Sequence, residues 1–83
     1  MFFVYIIYSA SRNKYYVGYT GDSLANRIEK HNTNHAGYTG GLGDWQLKYQ
    51  ESFLEKQQAI RREKEIKLRK SRKYIEELIE KAG

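Results

Sequence analysis

Tyr5, Tyr16, Arg27, His31 and Glu63 are of the types that can act together on a phosphate. Hydrolysing a phosphodiester needs a base for water, a cation on the phosphate, a metal ion or acid at the leaving oxygen, and a grip that holds the substrate in line. The planar guanidinium of Arg27 can clamp a phosphate through two N–H donors at once. Tyr5, Tyr16 or His31 can serve as the base. A tyrosine in that role needs help, because a free phenol titrates near pH ~10, and a nearby cation lowers that value. Lys14, two residues before Tyr16 and on the same strand face, is placed to supply one. Glu63 is a single inward carboxylate. It suits one hard divalent ion that keeps many waters better than a two-metal clamp.

Taken singly, each residue also has a plainer reading. Strand tyrosines are good core aromatics. A helix arginine is usually a surface charge, and the plainer reading of the inward Glu63 is a salt bridge to an arginine. Joint placement decides between the readings, and the elements set it.

Phe2 to Tyr8 is an unbroken run of aromatic and β-branched residues, which suits a strand covered on both faces. Ser9 to Asn13 reads as a polar turn and Lys14 to Tyr19 as a second strand, giving an antiparallel hairpin. Parity puts Tyr5 with Phe3 and Ile7, and Tyr16 with Lys14 and Gly18. The register that would bring the two tyrosines to one side is not fixed by the sequence. Gly18 and Gly21 are expected to bracket a turn where backbone can approach a ligand closely. Asp22 or Ser23 can cap a helix running to about His31, with Leu24 and Ile28 buried and Arg27 and His31 beside them.

Asn32 to Asp44 reads as a loop rich in Gly, Asn and Thr. His31 and His35 would share a face only if the helix continued, and the asparagines argue that it stops, so a two-histidine metal site is not expected. Trp45 to Phe53 is a third strand, with Trp45, Leu47 and Tyr49 alternating against polar residues. From Leu54 the period becomes helical, with Ala59, Ile60 and Ile66 inward to about Arg69. Glu63 falls within that stripe, whereas Glu65 points outward. Ser71 caps a last helix with Tyr74, Ile75, Leu78, Ile79 and Ala82 on one face, a brace or lid. The expected fold is α+β, a small three-stranded antiparallel sheet flanked by helices in the order β-β-α-β-α-α.

The 83 residues give room for one domain, 1–83, with a modest core. No cysteine is present, so disulfides and thiolate metal sites are excluded. The apolar run at the start is too short to span a bilayer and is not preceded by a basic segment. A cytoplasmic protein that uses no membrane is the expectation. The net charge is +5, and Lys56 to Lys73 holds nine Lys/Arg against Glu63 and Glu65. Such a stretch is either a solvated helix surface or a phosphate-binding face. Eight tyrosines add groups that can stack on bases.

The chain resembles the GIY-YIG nuclease superfamily in an ordered set of motifs. Phe3-Val4-Tyr5 and Tyr16-Val17-Gly18 look like its paired motif, with ten residues between the tyrosines. Arg27-x-x-x-His31 follows on a helix, and Ala59-Ile60-Arg61-Arg62-Glu63 stands where the superfamily puts its metal-binding glutamate. The REKEIK stretch and the SRKYIEELI tail resemble the small standalone UPF0213-type branch, related to the UvrC N-terminal endonuclease domain. Two departures are visible: Phe3 replaces the glycine of the first motif, and Lys73 lies near where many members carry a late Asn or Gln.

The resemblance implies a DNA endonuclease using one Mg²⁺ or Mn²⁺, in repair or recombination. Tyr5 would take the proton from water, and Tyr16 would place the water or phosphate. Gly18 would allow close approach. Arg27 would stabilise the pentavalent phosphorus, His31 would orient the nucleophile or share the proton, and Glu63 would hold the ion. Arg61, Arg62, Lys67, Arg69 and Lys70, with Lys14, would contact nucleic acid. One site per chain implies nicking or single-strand cutting unless the protein forms a homodimer. From another class, a non-catalytic nucleic-acid-binding module with the same fold stays open, as does a protein-interaction adaptor, against which the basic tail argues.

Overall fold

Val4, Tyr5, Ile6 and Ile7 are all wholly buried, which requires a strand with cover on both faces. In the computed structural model, which describes residues 1–33 and 43–82, that strand is the middle one of three. The elements are β1 (Phe2–Ser9), β2 (Lys14–Thr20), α1 (Leu24–Thr33), β3 (Trp45–Phe53), α2 (Lys56–Arg69) and α3 (Arg72–Ala82). The antiparallel sheet runs β2-β1-β3, so the α+β expectation and its element order hold. Each fully buried Val or Ile contributes about 1.5–3 kcal/mol of hydrophobic stabilisation, and β1 is therefore the scaffold on which the rest is hung. Among the described residues, no helix is long and apolar enough to cross a membrane.

The two faces of the sheet carry separate cores. Under α1 lie Tyr5, Ile7 and Trp45, with Tyr16, Leu24, Ile28 and Leu47 packed against them. On the other face Val4, Ile6 and Val17 meet Ala59 and Ile66 of α2 and the apolar side of α3. The register pairs Tyr5 with Gly18 and Ile7 with Tyr16, which brings both tyrosines to the α1 face. Asn13, in the left-handed region at φ 52°, closes the hairpin, and its side chain accepts from Tyr8 Oη at 2.7 Å.

Three expectations are corrected. Gly18 does not flank a turn; it lies inside β2, opposite Tyr5. The alternation of Trp45, Leu47 and Tyr49 is broken by a bulge between the partners of Ile6 and Ile7, where Lys48 is the extra residue. Trp45 and Leu47 therefore pack under α1, while Tyr49 and Phe53 join the α2–α3 side. Helix α1 runs two residues past His31, to Thr33; His35 lies outside the described residues.

The helix caps follow the sequence. Ser23 Oγ accepts from Asn26 N at 3.1 Å, and Ser71 Oγ accepts from Tyr74 N at 3.1 Å. Helix α2 ends at Lys70, which is left-handed at φ 48°, and so the chain can turn at once into α3.

Candidate active site

The site is built at the outer edge of β2, where α1 on one face and α2 on the other both reach the strand. Gly18 makes this possible. A Cβ at that position would stand 2.6 Å from Tyr5 Oη and 2.8 Å from its Cζ. Lacking one, β2 lets the Tyr5 ring lie across it, and the hydroxyl reaches past the central strand to α1.

There Tyr5 Oη meets two partners. Arg27 Nε donates to it at 3.3 Å, and His31 Nε2 lies 3.1 Å away. Burial pushes the Tyr5 phenol above its ordinary range, and the pull of Arg27 does not overcome this. Burial, followed by the positive charge of Arg27, pushes His31 below its ordinary value. The phenol is thus protonated and the imidazole neutral near pH ~7. Tyr5 Oη therefore joins the two side chains, accepting from Arg27 Nε and sharing a hydrogen bond with His31 Nε2 whose direction follows the imidazole tautomer.

This arrangement spends one edge of the Arg27 guanidinium and leaves the other. Among the described residues, only Nε has a hydrogen-bond partner; the two terminal nitrogens have none. Arg27 is half-buried, so its fork is held in orientation but open to a ligand. Buried guanidinium–phenol contact of this kind is an anchor for a charged fork, not a surface charge.

Tyr16 and Trp45 wall the site. The Tyr16 ring lies 4.9 Å from that of His31 and 6.4 Å from that of Tyr5, and Trp45 lies 6.2 Å from His31. The end of α1 is tied to β3 by a paired bond: Asn32 Nδ2 donates to Trp45 O at 3.1 Å and Asn32 Oδ1 accepts from Trp45 N at 2.8 Å. Asn32, read from sequence as a helix breaker, instead fixes the turn that carries His31.

From the other side α2 contributes Glu63. Its side chain is only 15% exposed, and its charge adds a minor upward push to the Tyr5 phenol, after burial. Its ionic partner is Lys67, at 3.4 Å, and not the arginine expected. The Lys67 ammonium also stands 5.8 Å from the centre of the Tyr16 ring. Lys67 is therefore part of the site. The Glu63–Lys67 spacing of four, on a helix already read as facing inward, was the signal for it.

All five sequence-nominated residues thus gather at one edge, with two changes of role. Tyr5 has no exposed surface, so its phenol does not meet solvent water directly; Tyr16, half-buried, is the tyrosine open to the site. The cation held against Tyr5 is Arg27, while Lys14 is exposed and lines a neighbouring recess.

Arg62, nominated from sequence as a nucleic-acid contact, is engaged within the fold. Its Nε donates to both oxygens of Glu51 at 3.0–3.1 Å, its Nη2 pairs with Glu51 at 3.0 Å, and its Nη1 reaches Glu65 and Tyr74. These bonds hold it well above its ordinary range as a brace between β3, α2 and α3. Arg69 stacks on Tyr74 at 4.4 Å, while Arg61 and Lys70 are exposed.

A divalent ion has one inward carboxylate available. Among the described residues no group of three metal-ligating side chains forms, so Glu63 fits an ion that takes most of its ligands from water and substrate. The carboxylate is held by a single exposed lysine and can exchange that partner.

The GIY-YIG catalytic domain family matches residues 1–75 of the chain. A UPF0213 protein of Halobacterium salinarum is 43% identical over 68 residues, which cover 81% of this chain and 86% of that protein. The solution NMR structure of a UPF0213 protein from Bacillus halodurans is similar at a TM-score of 0.59 and 36% identity. It spans 96% of this chain and 84% of that one.

Proposed function

The chain belongs to the GIY-YIG family, and from that premise we propose that it is a metal-dependent endonuclease that hydrolyses a phosphodiester of DNA, one strand at each event. The observation that carries the reading is Arg27: its Nε is anchored on the buried Tyr5, whose hydroxyl also meets His31 and whose phenol feels Tyr16 and Glu63. A guanidinium held this way meets the growing charge on phosphorus without having to reorganise.

In this reading Tyr16, beside the Lys67 ammonium, gives its phenolic proton to solvent and, as the phenolate, takes a proton from the water as the water's oxygen bonds to phosphorus. The bond from phosphorus to the 3′ oxygen breaks, and that oxygen leaves with a proton from solvent. Tyr5 is a positioning residue: it holds the Arg27 fork and the His31 ring. His31 stays neutral, so it adds no second positive charge beside Arg27. Glu63 would hold one Mg²⁺ or Mn²⁺, which when bound supplies positive charge beside the leaving oxygen.

The test is nicking of single-stranded, branched and nicked DNA with Mg²⁺ or Mn²⁺. Wild type should cut and Glu63→Ala should not; equal rates would remove the catalytic claim.

A second reading, a non-catalytic nucleic-acid-binding module, is favoured by one contact. Lys67 already pairs with the carboxylate that an ion would need. It predicts salt-dependent DNA binding with no cutting, with Arg27→Ala weakening binding and Glu63→Ala leaving it unchanged or tighter.

A further inference from the structure

Next to the site, between β2 and the α2–α3 junction, lies a recess of about 450 Å³ to which the proposed chemistry assigns no ligand. Its volume falls in the range of roughly 300–1,000 Å³ typical of ligand pockets. Tyr16 and Lys67 line both it and the active site, so the two are continuous.

Its chemistry is divided. Val17, Ile66 and Ile75 give it an apolar floor, and Tyr15 and Tyr16 flank that floor from β2. Lys14, Lys67 and Lys70 stand at the rim, and among the described residues no carboxylate lines it. A fourth rim cation, Arg72, is held to Asn13 and Glu76, and Lys67 pairs with Glu63 of the active site.

A flat apolar body with anionic groups at its edge is what such a recess accepts. A base and its flanking phosphates have that form, and base–aromatic contact tolerates any sequence. A base paired inside a duplex is stacked between neighbours and cannot enter. We infer that this recess takes one unpaired nucleotide of a DNA strand beside the phosphate in the active site, its base over the Val17–Ile66–Ile75 floor and its phosphates toward Lys14, Lys67 and Lys70. The inference rests on the proposed DNA reading and deepens it: the preferred substrate is a strand that is unpaired next to the cut, as in a flap, gap or single strand.

The experiment is metal-free binding, followed by fluorescence anisotropy, of a labelled thymidine strand and of an abasic strand of equal length and charge. Wild type should bind the thymidine strand roughly tenfold more tightly, the contribution of a stacked base. Ile75→Trp, which fills the recess, should bring the two affinities together. Lys70→Asn, which suits the left-handed backbone there, should weaken both and lower the salt slope by about one phosphate contact. A strand carrying 5-iodouracil should photocrosslink to Tyr15 or Tyr16. Equal wild-type affinities, a preference that survives in folded Ile75→Trp, or crosslinks confined to other elements would overturn the inference. Because no metal is present, a protein that cuts without base preference loses the recess and keeps the activity. A protein with the preference that never cuts does the reverse.

Discussion

The phenol of Tyr5 lies across Gly18, with its oxygen 2.6 Å from where a Cβ would be. This contact, and not a need for unusual backbone angles, is why β2 requires glycine there. Gly18→Ala should cost about 1–3 kcal/mol, the range for overpacking a well-filled interior. It should also disturb Arg27 and His31, which hold the displaced oxygen. Removing the hydroxyl relieves only part of the clash, because Cζ would still lie 2.8 Å away. A urea-melt double-mutant cycle of Gly18→Ala with Tyr5→Phe should therefore show coupling without full rescue. An unchanged melt for Gly18→Ala would refute the account.

Tyr5 and Tyr16 should respond differently to loss of their hydroxyls. Tyr5→Phe leaves Arg27 Nε and the buried His31 Nε2 without their partner, at a cost of about 1–3 kcal/mol. Tyr16 is half-buried, and Tyr16→Phe should change stability by only about 0.5 kcal/mol. Its loss of nicking should nonetheless be large, about 10²–10⁴-fold, as for removal of a general base. Thermal melts and single-turnover cutting of both variants make the comparison. If Tyr16→Phe cuts normally while Tyr5→Phe is dead, the proton goes to Tyr5 and the roles assigned here are reversed.

Arg62 is a brace, and its removal should read out in stability. Its side chain is 20% exposed and that of Glu51 23%, so the pair is partly shielded from solvent. Arg62→Ala leaves Glu51 facing Tyr49 without its cation, for a loss of about 2–3 kcal/mol, below the 3–5 of a fully buried pair. The salt dependence of DNA binding should not change, whereas replacing Lys67 or Lys70 should lower it. A lower salt slope for Arg62→Ala with an unchanged melt would return it to the DNA-binding face.

What sequence could reveal followed from local pattern. The unbroken run from Phe2 to Tyr8 required cover on both faces, and the central position of β1 supplies it. Ser23 and Ser71 announced their helices by capping. What it could not reveal came from pairing. Tyr5 and Tyr16 look equivalent as letters. One is sealed because it sits on the central strand, and the other is open because β2 is an edge. The bulge at Lys48 leaves no trace in the apolar alternation, since Tyr49 is apolar enough for either face. The basic stretch looked uniform, yet Arg62 faces Glu51 while Lys67 faces Glu63, a distinction set by helix rotation against the sheet.

His31 gives the fold a pH dependence whose sign can be worked out. Its folded value lies below the ordinary 6.5, through burial and then through Arg27. As pH falls below about 6.5 the unfolded chain takes up this proton before the folded one does, so stability rises with pH across that window. The contribution is complete above the unfolded value and is lost as pH drops through the folded one. Urea midpoints measured between about pH 7.5 and about pH 5 should decline for wild type and decline less for His31→Gln, which stays neutral throughout. Nicking should fall over the same acid range, because a protonated imidazole would repel the Arg27 guanidinium that shares Tyr5 Oη with it. A wild-type protein as stable at about pH 5 as at about pH 7.5, or equal slopes in the two proteins, would show that His31 is not held neutral by its burial against Tyr5.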